Sequence, residues 1–284
     1  MHHGRVGLPR PAPDAEPDRG TEPIGAVDRR TPLTAGVHPA ADRRTVGWLA
    51  AGLAAGAVPT GLVIAPVDGL QGDAQRLMYL HVPAAWTAFL AFGAVLGASV
   101  GYLVSRDLRW DRCARAAAEI GVGLTALTIL LGAIWGRAVW GAWWAWDPRL
   151  VSTALLLLVY AGYLATRRAV ADGHPEHDPL VAHRIARPAA AIGIAGFALV
   201  PVVHFSVVWW RSLHQPATIL APGRPPIEPL MATALALSLA AFTAGALWLF
   251  LRRLATIEHL AFERPAAAAA DVREPGELLK LETG

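Results

Sequence analysis

Residues 77–105 read LMYLHVPAAWTAFLAFGAVLGASVGYLVS, an unbroken run with no Asp, Glu, Lys or Arg. The run is apolar on all sides rather than at strand or amphipathic-helix spacing. About 17–25 such residues cross the hydrocarbon of a bilayer as a helix. Within lipid, a helix satisfies its backbone polar groups inside one segment. Five further runs have the same character: 45–67, 120–136, 150–166, 188–210 and 230–251. The chain therefore reads as an all-α integral membrane protein, a bundle of six transmembrane helices. Its composition agrees, with 54% hydrophobic and only 17% charged residues and a mean hydropathy of +0.39, where soluble domains carry about a quarter charged residues.

The charge balance of +3 and the pI near 9.5 raise the question of nucleic acid, and the placement of arginine answers it. Arg29, Arg30, Arg43 and Arg44 precede the first run, and Arg106, Arg109, Arg112 and Arg115 follow the second. Arg167, Arg168, Arg184 and Arg187 separate the fourth and fifth, and Arg252 and Arg253 follow the sixth. The alternate connections hold only Arg76, then Arg137 and Arg149, then Arg211 and Arg224. Positive residues stay on the cytoplasmic side, so both termini are expected inside, in a multi-pass protein of the cytoplasmic (inner) membrane. The basic bias is a topology signal, with lipid rather than nucleic acid as its partner.

Residues 1–44 are rich in Pro, Arg and Asp and show no signal-peptide core, so they read as a disordered cytoplasmic extension. Residues 45–254 form the membrane domain, and 255–284 read as a cytoplasmic tail. Cys113, expected in a cytoplasmic loop, is the one cysteine and has no CxxC or CxxCH partner. That excludes a thiol-redox motif or covalent haem attachment within this sequence. No phosphate loop of the GxxxxGK[ST] form is present.

The unusual residues gather on the outward side. Of 11 tryptophans, five lie between Trp135 and Trp146, and Trp209 and Trp210 add two more. An aromatic belt would populate both interfaces, so the asymmetry points to a ligand. The segment Trp140-Gly141-Ala142-Trp143-Trp144-Ala145-Trp146-Asp147-Pro148-Arg149 lies in the periplasmic connection between helices 3 and 4. If helical, it places Trp140, Trp143, Trp144 and Asp147 on one face, as a shelf lying flat on the membrane. A shelf of that kind suits a large, flat, apolar molecule. Asp147 and Arg149 also read as cap and anchor of the next helix, since Pro148 suits a helix start.

Outward histidines supply the second element. His81 lies in Tyr79-Leu80-His81-Val82-Pro83, and Pro83 in a first helical turn would leave it at the mouth of helix 2. His204 is near the outer end of helix 5, and His214 follows ten residues later. A lone interfacial histidine is more often structural. Two on different helices, opening on one tryptophan-rich surface, suit axial ligation of haem iron. Arg76 and Arg149, and less directly Arg137 and Arg211, are candidates to meet haem propionates, although each also suits an interfacial anchor. His174, His177 and His183, beside Asp172, Glu176 and Asp178, read as a solvated cytoplasmic loop.

The run from Trp140 to Leu150 resembles the tryptophan-rich "WWD" domain of haem-handling proteins, here spanning 135–150. His81-Val82-Pro83-Ala84-Ala85-Trp86 and the stretch Val203-His204-Phe205-Ser206 to Leu213-His214-Gln215 resemble the two histidine segments of one branch. That branch is the cytochrome c maturation protein C family, also called haem exporter protein C, and the likeness extends from about Trp48 to Leu254. The resemblance implies a protein that captures non-covalent, transiently bound haem b at the periplasmic face and delivers it to a periplasmic haem chaperone for cytochrome c biogenesis. It also implies work beside the ATPase and membrane subunits of an ABC transporter. Carried over residue by residue, it makes His81 and His204 the axial ligands. Trp140, Gly141, Trp143, Trp144, Trp146 and Asp147 become the haem platform, and Arg76 and Arg149 assist. Pro148 and Val151 depart from the usual small or hydroxylated residues, and the long amino-terminal extension is also unusual.

No bond is made to such a carrier, so enzymatic activity is not expected. Two alternatives are a cytochrome c haem ligase of the same superfamily, which would be larger, and a b-type membrane cytochrome, which would hold permanent haem between buried histidines. A small-solute transporter fits less well, because the spans carry almost no interior charge or paired broken helices.

Overall fold

The computed structural model describes residues 39–171, 179–215 and 227–271. Its elements are α1 (Pro39–Pro59), α2 (Met78–Ser105), α3 (Leu108–Trp140), α4 (Pro148–Ala171), α5 (Pro179–Phe197), α6 (Leu199–Trp209) and α7 (Pro229–Asp271). They provide six helical spans long and apolar enough to cross a membrane, the fifth made of α5 and α6 together. The protein is an all-α, multi-pass membrane protein.

Several helices outrun the apolar blocks. The third block begins at residue 120, but α3 starts at Leu108, because the Asp107 carboxylate accepts from the Arg109 N–H at 2.9 Å and caps it there. Ala114, Ala116, Ala117 and Ala118 then bury the added turns. Cys113 consequently sits half-buried in α3 beside Phe250, not in a loop. At the preceding corner Arg106 takes a left-handed conformation (φ 58°) and its N–H donates to the Tyr102 carbonyl at 2.7 Å, ending α2. The first and last helices also extend past the expected limits. α1 begins at Pro39, inside the segment read as an extension, and α7 continues through Arg264 and Pro265 to Asp271.

The fifth span is interrupted at Ala198. Pro201 lacks an N–H, so the Phe197 carbonyl loses its usual partner four residues on, and the chain restarts as α6. α7 begins with Pro229 in its first turn, where the Glu228 carboxylate accepts from the N–H groups of Leu230 (2.9 Å) and Met231 (3.0 Å).

α2 and α3 pack as the closest antiparallel pair. At the centre Phe92 stacks on Tyr160, centroids 3.9 Å apart, and the Tyr160 hydroxyl donates to the Gly193 carbonyl at 2.9 Å. Gly121 makes that contact possible: a Cβ there would stand 2.6 Å from the Phe92 ring. At the arginine-rich end two ion pairs tie the helices. Arg167 grips Asp111 through two 2.6 Å bonds, with both side chains largely buried, and Arg253 pairs with Glu119.

Candidate site at the tryptophan-rich end

α3 stops at Gly141, whose φ of 76° belongs to the left-handed region that only glycine enters without strain. From Gly141 to Asp147 the chain is not helical, so the expected flat helix does not form. Trp140 is the last residue of α3, while Trp143, Trp144 and Trp146 hang on an extended strap between Gly141 and Pro148. The three are exposed, at 61%, 38% and 86%, and Trp144 meets Trp146 edge to face at 6.0 Å. The aromatic shelf is therefore made by a strap fastened at both ends.

Asp147 is the fastening. It is buried, and its carboxylate accepts four hydrogen bonds: Arg149 N–H at 3.0 Å, Ser212 Oγ at 2.8 Å, Leu213 N–H at 2.7 Å and His214 Nδ1 at 3.1 Å. Burial pushes its pKa up, but the Leu213 amide, the Ser212 hydroxyl and His214 outweigh that and hold it below the usual carboxylate range. The expected cap before Pro148 is present, and it also joins the start of α4 to the loop after α6.

His214 becomes a defined group through this bond. Burial, with Arg149 nearby, lowers its pKa below the ordinary 6.5 despite the opposing carboxylate, so at neutral pH the imidazole is uncharged. With Nδ1–H donated to Asp147, Nε2 keeps its lone pair. The ring lies edge-on to Trp140, centroids 5.0 Å apart.

His81 is in the second turn of α2 rather than at its mouth. The helix begins at Met78 behind a 3₁₀ turn (Asp73–Leu77), and Pro83 lies inside it. The ring packs edge to face on Trp135 at 5.7 Å and fits against α3 because residue 132 is glycine: a Cβ there would stand 2.9 Å from His81 Cε1. Nδ1 is buried with no hydrogen-bond partner. His214 and Arg149 lie within electrostatic reach of the His81 ring. His204 is half-buried against Phe205 at 4.8 Å, and its carbonyl accepts from Arg149 Nη2 at 2.9 Å.

The structure thus sets His81 against Trp135, and His214 against Trp140 and Asp147, with Arg149 joining Asp147 to His204. Arg76 is engaged elsewhere, donating to the carbonyls of Gly61 (3.2 Å) and Ala65 (3.1 Å) and pairing with Asp73 at 3.0 Å. Gln71 was not legible in advance: its Oε1 accepts from Trp135 Nε1 at 2.9 Å, across 64 residues, and closes the loop before α2 onto α3. Of the other histidines, His183 pairs with the Tyr102 hydroxyl at 3.0 Å, and His174 and His177 lie outside the described residues.

Fold and site define a class: a six-span helical membrane protein with a tryptophan strap and two imidazoles at one end. The chain matches the family described as Heme exporter protein C over residues 34–268. It is 40% identical to the Heme exporter protein C of Bradyrhizobium diazoefficiens over 212 residues, covering 73% of this chain and 75% of that one. With the Escherichia coli K12 protein of the same name the identity is 34% over 200 residues, 70% and 72% of the two chains. A Marchantia polymorpha mitochondrial protein, named for cytochrome c biosynthesis, is 35% identical over 167 residues, 59% of this chain and 67% of its own. The chain belongs to the Heme exporter protein C family.

Proposed function

We propose that this protein holds haem b without a covalent bond at its tryptophan-rich end and delivers it for cytochrome c biogenesis. The observation that carries this reading is the buried His81 Nδ1 without a hydrogen-bond partner, at the end of the bundle that carries the tryptophan strap. Buried polar atoms without partners are few in folded proteins and call for an explanation, and an imidazole lone pair suits iron. The names of the relatives support the cargo and the pathway. Trp140, Gly141, Trp143, Trp144, Trp146 and Asp147 form the platform: the strap presents aromatic faces to a flat macrocycle, and Arg149 supplies positive charge for its carboxylates. Arg76 acts at a distance by fixing the lead-in to α2.

His81 is the first iron ligand in this reading, and the second is His204, as the resemblance implies, or His214, whose Nδ1 is held by Asp147. His204 belongs to the same site through the carbonyl that anchors Arg149. The protein makes and breaks no covalent bond in this role, so it acts as a carrier rather than an enzyme. Delivery is to a periplasmic haem chaperone, beside the ATPase and membrane subunits of an ABC transporter. The protein lies in the inner membrane with both termini cytoplasmic, as the arginine distribution supports.

The test is the absorption spectrum of detergent-purified protein, co-expressed with the chaperone, for wild type and for His81→Ala, His204→Ala and His214→Ala. Loss of the six-coordinate spectrum and of chaperone loading is expected in His81→Ala and in one of the other two variants, which identifies the second ligand. Retention in all three would sink the clamp. A haem that stays bound regardless of the chaperone would favour a b-type cytochrome.

A further inference from the structure

A second cavity lies away from the haem site, between α1, α7 and the start of α2. Its volume is about 840 Å³. It runs from Arg44 of α1 to Leu62 just beyond that helix, which at about 1.5 Å per residue is roughly 27 Å, nearly the thickness of the hydrocarbon layer. Small residues, Gly47, Ala51, Ala54 and Ala57 on one side and Ala241 and Gly245 of α7 on the other, leave an open groove between larger ones such as Trp48 and Phe242. A chain lying in it gains dispersion contacts along its whole length. A linear apolar chain fits that shape.

The polar groups identify what the chain is attached to. They sit at the arginine-rich end. Arg44 lines the mouth one turn before Trp48, and Trp248 of α7 lines it too. Trp248 is pressed so close to α1 that a Cβ at Gly47 would stand 2.8 Å from its Nε1. The Arg252 guanidinium lies 5.0 Å above the Trp248 ring. Among the described residues no carboxylate pairs with Arg44 or Arg252. Arg44 at the mouth and Arg252 over Trp248 beside it, with no carboxylate partner among the described residues, suit a phosphate, since basic pockets between helices take anionic lipid headgroups.

We infer that the groove between α1 and α7 is a binding site for one anionic glycerophospholipid, its phosphate at Arg44 and Arg252 and an acyl chain along the Gly/Ala wall toward Leu62. The lipid completes the packing of α1, the span joined to the rest of the bundle mainly through α7. This inference stands independently of the haem reading.

The experiment is lipid extraction and mass spectrometry of the full-length protein after purification in mild detergent, for wild type, Ala54→Phe and Arg44→Gln/Arg252→Gln. Ala54 is exposed on α1 and faces the groove, so Phe fills the space without entering the protein core. Wild type is expected to retain about one anionic phospholipid per chain, enriched over the membrane average. Ala54→Phe should lose it. The double arginine variant, at the surface and safe for folding, should lower the anionic enrichment roughly thirtyfold. A wild type carrying only the bulk lipid composition overturns the inference, as does unchanged retention in Ala54→Phe or unchanged enrichment in the arginine variant. Recovery of a quinone or a bound partner helix in the groove instead overturns it too.

Discussion

Replacing Asp147 with alanine removes one carboxylate and four acceptor contacts together. Two of the donors are backbone amides (Arg149 and Leu213), one is a hydroxyl (Ser212) and one is an imidazole (His214). A hydrogen bond to a charged group contributes about 1.5–3 kcal/mol. The four do not add, because once Asp147 is gone the loop end can reach water. The net loss is therefore about 1.5–3 kcal/mol, that of a single hydrogen bond to a charged group, since no unpaired charge is left buried. For a chain of this size roughly 2–4 °C is lost per kcal/mol, so the melting temperature should fall by roughly 3–12 °C. Differential scanning fluorimetry of detergent-solubilised protein measures it, and the fluorescence of Trp140, which touches His214, reports the local opening. Asp147→Asn keeps one acceptor oxygen and should fall between the two. A melting temperature within about 2 °C of wild type for Asp147→Ala would refute the view that this carboxylate fastens the strap.

Gly132→Ala places a Cβ 2.9 Å from the His81 ring and should displace it, weakening the haem spectrum while leaving helix content by circular dichroism unchanged; a wild-type spectrum would mean His81 ligates from another position. Arg167→Ala leaves Asp111 buried without its partner and should cost about 3–5 kcal/mol in thermal unfolding, whereas Arg167→Ala with Asp111→Ala should recover part of it. Acid should loosen the haem-free protein. His214 has its pKa lowered by burial below 6.5, so the stability of its neutral form is complete above that pH and is lost as pH falls through the folded-state value. Melting temperatures at stepwise lower pH should decline in wild type from near 6.5 and less steeply in His214→Gln; parallel curves would assign the decline elsewhere.

The spans were legible because crossing lipid imposes length and apolarity locally, and residues 77–105 meet both conditions without reference to any partner. Their ends were less so. Asp107 sets the start of α3 by a capping contact the apolar pattern does not register, and Pro201 splits a run that composition presents as continuous. The tryptophan segment misled for a different reason. Its spacing matches a helical face, but Gly141 at positive φ and the Asp147–Pro148 cap decide the backbone from either side. The neighbours of His214 in the chain say little about its role; what defines it is a carboxylate 67 residues earlier. His81 was found, but the glycine that seats it lies on another helix.

A ribosome delivers this chain from its amino terminus, and the order matters for Asp147. When the first four spans have entered the membrane, the carboxylate is already in place, but Ser212 is still 65 residues away along the chain. Nascent chains lengthen by about 5–20 residues per second, so the tryptophan strap spends several seconds fastened only to α4. A chain truncated before Ser212 keeps every tryptophan of the strap but has no latch to hold it, nor the imidazole beside Trp140. If the strap holds haem as proposed, capture is thereby deferred until the bundle is nearly complete.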